Sequence, residues 1–291
     1  MADRLLNPRP SLPGLVGRTL LRQLGVHPND DHAVPLDLRG RSALCIATNH
    51  GVLDVGVPTG VYGSELTVPY YCFLDAGMRV EVASCKGGAV PVEPLSMKVP
   101  LRTPDDDRML DDDVLRAKLT ESMPIAPVDF AAYDLVYFAG GWGAAFDLGQ
   151  SEELGRKVGE AYAAGRVLGG ICHGPLGLLR ARRPDGELVV KGRRITAVTD
   201  RQVHQLGVTI TPLHPESALR AAGAAFECVH HPVRDFFANH VVADEDLITG
   251  QNQNAGPMVA RRMMQRVLAK VAAARPDGSA TTAVNAAAAR A

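Results

Sequence analysis

The sequence predicts an α/β protein: a three-layer sandwich with a mostly parallel central sheet and helices on both faces. Three observations predict it. Short apolar runs alternate with longer stretches of helical pattern through the middle of the chain. Strands separated by helices lie parallel, because each helix returns the chain to the edge where the last strand began. The first run, SALCIAT at 42–48, is apolar almost throughout, as a strand covered on both faces must be. Several runs also end in glycine-rich or polar turns, at 49–51, 140–143 and 172–174. In such sheets the ligand meets the carboxyl ends of the strands.

Taken in order, residues 1–40 read as an N-terminal extension rich in Pro, Asp and Arg, with one short helix at about 15–24. After the strand at 42–48 come a helix at 65–76, closed by Gly77, and a strand at 79–84. The stretch 86–127 is too long for a simple loop, and its excursion at about 97–127 is expected to hold a helix. Its aspartate runs, 105–107 and 111–113, read as solvated helix-capping carboxylates rather than metal ligands. DLVYFAGG at 134–141 is a third strand, followed by a helix at 152–164 closed by Gly165. VLGGICHG at 167–174 is a strand running into a turn, and a helix is expected through 176–182. A strand at 194–199, a helix at 215–222, a hairpin or edge strands at 240–250 and a long helix at 257–274 complete the α/β domain, 41–274. The small-residue stretch 275–291 reads as a disordered tail.

Composition excludes several functions. The chain has 31 Lys+Arg against 32 Asp+Glu, a net charge of −1. Nucleic acid and anionic membranes call for a basic excess, so neither is an expected partner. No apolar run approaches the ~18–20 residues that span a bilayer, and the N-terminus has no apolar signal core. The five cysteines form no CxxC pair and no zinc-type cluster with histidine. Neither a disulfide framework nor a metal is therefore expected, and no cofactor is implied. The reading is a cytoplasmic protein with reduced thiols. The pair His230–His231 has no partner carboxylate visible in the sequence.

The strongest local signal is GGICHGPLGLL at 169–179. An apolar strand meets Cys172, then His173 and Gly174, then a helix-like run. This is the pattern of a nucleophile elbow, the sharp turn that exposes one side chain above the sheet. Glycines at 170 and 174 would supply the permissive backbone, and the N-terminus of the next helix would lower the thiol pKa. The plainer reading is a buried structural cysteine. The order strand, Cys, His, Gly, helix favours the nucleophile.

Cys172-His173-Gly174-Pro175 resembles the C-H-G-P elbow of the DJ-1/PfpI superfamily, within the class I glutamine amidotransferase-like, flavodoxin-like fold. TGVYGSEL at 59–66, VEVASCKGGAVPVEPLS at 80–96, VYFAGGWGAAFDL at 136–148 and LITGQNQNAG at 247–256 resemble further family stretches, and the likeness spans roughly 40–270. The long form resembles the Hsp31-like branch, associated with glyoxalase III, holdase and deglycase activities. The resemblance implies a small-molecule substrate, a homodimer, and a carboxyl at Glu65 meeting the cysteine. A carboxyl beside a thiolate must be protonated or raise the thiol pKa. His173 is a candidate general base, and the turn at Gly140, Gly141 and Trp142 a candidate oxyanion hole. Trp142 stands where the family often has histidine. The resemblance places the third acid at Asp200, with His204, His214 and Glu216 as fallbacks, although Gln202 and Val203 replace a glutamate pair often found just beyond.

The implied reaction converts a small α-oxo aldehyde to a hydroxy acid through a Cys172 hemithioacetal. Two alternatives stand beside it: a cysteine hydrolase or hydratase acting on an amide or related carbon, and a non-catalytic holdase or redox sensor. A glutaminase subunit is disfavoured, because His214-Pro215-Glu216 has H-x-E spacing but lies too near the elbow.

Overall fold

Ser42–Ala47 (β1) is buried at every position because its side chains alternate between two cores. Ala43, Cys45 and Ala47 pack on one face of the sheet, Leu44 and Ile46 on the other. In the computed structural model, which describes residues 15–28 and 35–274, β1 pairs in parallel with Arg79–Ser84 (β2). That strand pairs in parallel with the short Met123–Pro124 (β3). On the other side of β1 lies Leu135–Phe138 (β4), followed by Val167–Ile171 (β5), both parallel. The strand expected at 194–199 is only Arg194–Ile195 (β6), paired with Ala225–Phe226 (β7) in a separate ribbon. Val241–Asp244 (β8) and Leu247–Gly250 (β9) form the expected hairpin, and β9 adds in parallel to β5. The seven-stranded order is β3-β2-β1-β4-β5-β9-β8, with β8 alone antiparallel.

Helix Leu15–Gln23 (α1) leads into a segment tied to the body. Asn254 Nδ2 donates to the Gly25 carbonyl at 2.8 Å, and His27 Nε2 meets the Pro100 carbonyl at 2.6 Å. Helix Gly63–Asp75 (α2) begins two residues before the predicted start and is buried on most sides. The excursion holds two helices, Pro104–Asp111 (α3) and Asp113–Thr120 (α4). Both aspartate runs cap, as expected: Thr103 and Asp106 close a capping box, and Asp112 accepts from Val114 and Leu115 N–H. Asp106 is nevertheless fully buried rather than solvated, and it accepts Thr67 Oγ1 at 2.7 Å, tying α3 to α2.

Helix Glu152–Ala163 (α5) covers the face opposite α2. Two further helices follow, Asp200–Leu206 (α6) and Pro215–Ala221 (α7). The last, Gly256–Ala273 (α8), packs beside α2 on the first face. Among the described residues no helix is long and apolar enough to cross a membrane. The tail expectation, 275–291, falls outside the described residues. From β1 the chain moves outward through β2 and β3, then returns to β4 on the other side. Open α/β sheets bind ligands at the carboxyl ends of the strands beside such a reversal, here β1 and β4.

Candidate active site

Cys172 follows β5 directly and has φ 57, a left-handed conformation that non-glycine residues rarely adopt. The elbow's strain therefore sits on the cysteine, not on Gly170 or Gly174. Those glycines serve close approach: a Cβ on Gly174 would collide with the Phe138 carbonyl, and one on Gly170 would lie 2.7 Å from it. The elbow is held from both sides. Cys172 N–H donates to the Gly250 carbonyl at 3.1 Å, and its carbonyl accepts Val198 N–H at 3.0 Å.

The helix expected at 176–182 is a short 3₁₀ run, Gly174–Leu178. A five-residue turn offers little dipole, and Cys172 is only 9% exposed. Burial, then the neighbouring Glu65, pushes its thiol well above the ordinary range, against the N–H groups of His173 and Gly141 that pull it down. The expected lowering by a helix dipole is thus overturned. Dipole effects are worth about 0.3–1 kcal/mol, less than the desolvation of a buried thiolate.

Glu65 lies in the first turn of α2, 1% exposed. Its backbone carbonyl is fixed by Tyr137 Oη at 2.6 Å, and its carboxyl hydrogen-bonds Cys172. Burial pushes this carboxyl up to about 8. Its Oε2 is buried with no hydrogen-bond partner, a state that would cost an ionised oxygen dearly. At neutral pH Glu65 therefore carries the proton that it shares with the sulfur. Gly140 forms the floor of this pair: a Cβ there would meet Glu65 Oε2 and lie 2.8 Å from Cys172 Cβ.

His173 is 1% exposed, and its Nδ1 lies 3.3 Å from Cys172 Sγ. Burial lowers its pKa to about 3, with His214 adding a smaller push. The imidazole is neutral across the physiological range, and its buried Nε2 has no partner. Trp142 packs against it, ring centroids 4.8 Å apart. Of the predicted oxyanion turn, the Gly141 N–H faces the sulfur, Gly140 is floor and Trp142 is wall.

Asp200 is not brought to His173. It starts α6, and its carboxylate is taken by Ser217 N–H and Oγ, while Glu216 Oε2 accepts the Asp200 N–H at 3.0 Å. The reason is an unread helix. Thr199 caps α6 by accepting Gln202 N–H at 3.0 Å, and Gly207 closes it at φ 73. The first turn of that helix turns Asp200 toward α7. The spacing Thr199-x-x-Gln202 is a capping-box pattern that could have revealed it. The sequence also missed Val198 and Val203, which pack on Cys172, and Gln202, buried with an unpaired Oε1.

These features define an α/β protein with a strained, buried cysteine at an elbow and a buried carboxyl against its sulfur. The chain belongs to the DJ-1/PfpI family, whose model matches residues 55–266. It is 28% identical over 209 residues to a glutathione-independent glyoxalase of Schizosaccharomyces pombe, covering 68% of this chain and 83% of that one. It is also 28% identical over 160 residues to glyoxalase 3 of Candida albicans, covering 53% and 66%. Among solved structures, the Rapid Encystment Protein 24 KDa of Francisella tularensis superposes with a TM-score of 0.72 at 28% identity, over 78% of this chain and 99% of that one. The glyoxalase III structure from Candida albicans, with a TM-score of 0.69 at 24% identity over 78% and 97%, shares the fold.

Proposed function

We propose that the protein is a cysteine-dependent enzyme of the glyoxalase III type, converting a small α-oxo aldehyde to a hydroxy acid without glutathione. The observation that carries this is the buried Glu65 carboxyl hydrogen-bonded to Cys172. The relatives named as glyoxalases support the reaction class. In the pair that has lost one proton, the Cys172 sulfur adds to the aldehyde carbon, forming an S–C bond as the C=O bond opens. The thiol proton passes by way of Glu65 to the aldehyde oxygen, whose developing charge takes N–H donors from the Gly141 turn and His173. The Glu65 carboxylate then takes the proton from the hemithioacetal carbon and gives it to the neighbouring carbon as the hydroxyl proton moves to the neighbouring oxygen, giving a thioester that water hydrolyses to the hydroxy acid and free thiol.

Magnitudes favour Glu65 over His173 as the group that moves the proton. Efficient transfer needs donor and acceptor of similar pKa. Glu65, raised to about 8, and the buried thiol, raised above its ordinary range, are shifted in the same direction. His173, lowered to about 3, is shifted in the opposite direction. His173 instead holds the sulfur at 3.3 Å and lends its backbone N–H. The 9% exposure of Cys172 admits only a small electrophile. A redox sensor that depends on a low-pKa, accessible thiol fits this buried sulfur poorly. The test is lactate formation from methylglyoxal, with no glutathione, by wild type and Cys172→Ala. Activity in the wild type alone is expected, and equal rates would end the proposal.

A further inference from the structure

We propose that Cys228, His230 and Asp235 form a second reactive thiol site, separate from the elbow, at which small peroxides oxidise Cys228. Cys228 Sγ lies 3.9 Å from His230 Nε2, and His230 Nδ1 lies 2.8 Å from Asp235 Oδ2. Nucleophile, imidazole and carboxylate thus stand in the order that general-base activation of a nucleophile requires.

The carboxylate also settles the tautomer. Asp235 Oδ2 accepts from Nδ1, so Nδ1 carries a hydrogen and, in the neutral imidazole, Nε2 is left as the acceptor beside the sulfur. Asp235 is fully buried, and its oxygens also accept His231 N–H at 3.1 Å and Thr199 Oγ1 at 3.2 Å. Arg201 approaches at 3.9 Å.

Residues outside the triad hold it in place. Gln251 clamps Val229, between Cys228 and His230, by accepting its N–H and donating to its carbonyl, both at 2.9 Å. Asn252 Nδ2 donates to the Asp235 carbonyl at 2.9 Å, and Gln205 Oε1 accepts the Asp235 N–H at 2.9 Å. The polar run Gln251–Asn252 is therefore spent on fixing this loop. Access is open where the elbow is closed: the His230 side chain is 48% exposed and Cys228 is half-buried.

Burial raises the Cys228 thiol, with Glu216 and Asp235 adding to the rise and Arg220 opposing it. The site thus works by assisted deprotonation during attack rather than by a standing thiolate. As the sulfur attacks peroxide, an S–O bond forms and the O–O bond breaks. His230 Nε2 takes the thiol proton and passes it to the leaving hydroxide. The products are Cys228 sulfenic acid and water; sulfur loses two electrons and peroxide gains them.

The test treats the full-length protein with equimolar hydrogen peroxide and a cyclic-dione sulfenic-acid probe, then measures initial labelling of each cysteine by peptide mass spectrometry. Cys85 is the internal standard: it is also half-buried, but its side-chain partner is Ser151. Cys228 is expected to label at least about tenfold faster than Cys85, at the low end of general-base assistance. His230→Gln, at a half-exposed position, is expected to bring it down to the Cys85 rate, and Asp235→Asn to slow it. Cys172→Ala is expected to leave it unchanged, so the result is independent of the aldehyde chemistry. Cys228 labelling no faster than Cys85 in wild type, or an unchanged rate in His230→Gln, would overturn the proposal.

Discussion

The elbow and the loop at 228–235 each combine a cysteine, a histidine and an acid, with opposite wiring. At the elbow the carboxyl of Glu65 meets the sulfur, and His173 beside it is buried and neutral. In the loop the carboxylate of Asp235 meets the imidazole, and the imidazole meets the sulfur. A carboxyl on a sulfur forms a proton-sharing pair, because two adjacent anions repel. A carboxylate on an imidazole sets a tautomer and prepares a base. Which atom the acid touches, and how far water is excluded, decides the chemistry more than the presence of Cys, His and an acid.

The contrast is broken most sharply by Cys172→Ala. Lactate formation is expected to fall to the uncatalysed background, while peroxide labelling at Cys228 continues; a chromogenic lactate assay and mass spectrometry on one sample check both. Glu65→Gln keeps the shape but carries no transferable proton, so kcat is expected to fall by roughly 10²–10⁴-fold.

The same variant tests the pH argument. In wild type Glu65 gives up its proton near 8, while burial and Glu65 together hold the thiol above its ordinary range, so iodoacetamide alkylation of Cys172 rises only above that pH. With glutamine the thiol loses the rise that Glu65 adds to burial, and the midpoint is expected to move lower. A midpoint moving higher would mean that Glu65 stabilises the thiolate instead. The activity profile is likewise expected to bend near 8 rather than between 6 and 7, since His173 stays neutral.

Stability follows with a definite sign. Glu65 binds its proton more tightly folded than unfolded, so wild type loses stability as pH rises from 4.5 toward about 8. Glu65→Gln is expected to melt higher than wild type at pH 8, by up to a few kcal/mol, with the gap closing near pH 4 in a calorimetric series. The smallest effect belongs to Asp200→Ala. Its carboxylate serves Ser217 and not His173, so kcat/KM is expected within about twofold of wild type, as for changes away from the reacting groups.

Much of the fold was legible because it rests on local pattern. The apolar run of β1, the caps Thr103 and Asp112, and the glycines closing α2 and α5 each act within a few residues of themselves. The elements misread are those whose form depends on distant partners. The run after 194 stops at Ile195, and 196–199 instead stays extended and buried, with Thr196 N–H donating to Thr249 Oγ1 at 2.9 Å and Val198 to the Cys172 carbonyl. The run after Cys172 stays 3₁₀ with Gly174 pressed on the Phe138 carbonyl.

The sequence by itself determined the alternation of strands and helices, the elbow at Cys172-His173-Gly174, and Glu65 as its carboxyl partner by resemblance. These follow from side-chain period and from a motif confined to a few neighbouring residues. Tertiary structure alone decided the protonation of the site and the existence of the second cluster. Burial, which raises both Cys172 and Glu65 and lowers His173, depends on the whole surrounding core. Asp235 reaches His230 only because Gln251, Asn252 and Gln205, distant in sequence, fold the loop back on itself.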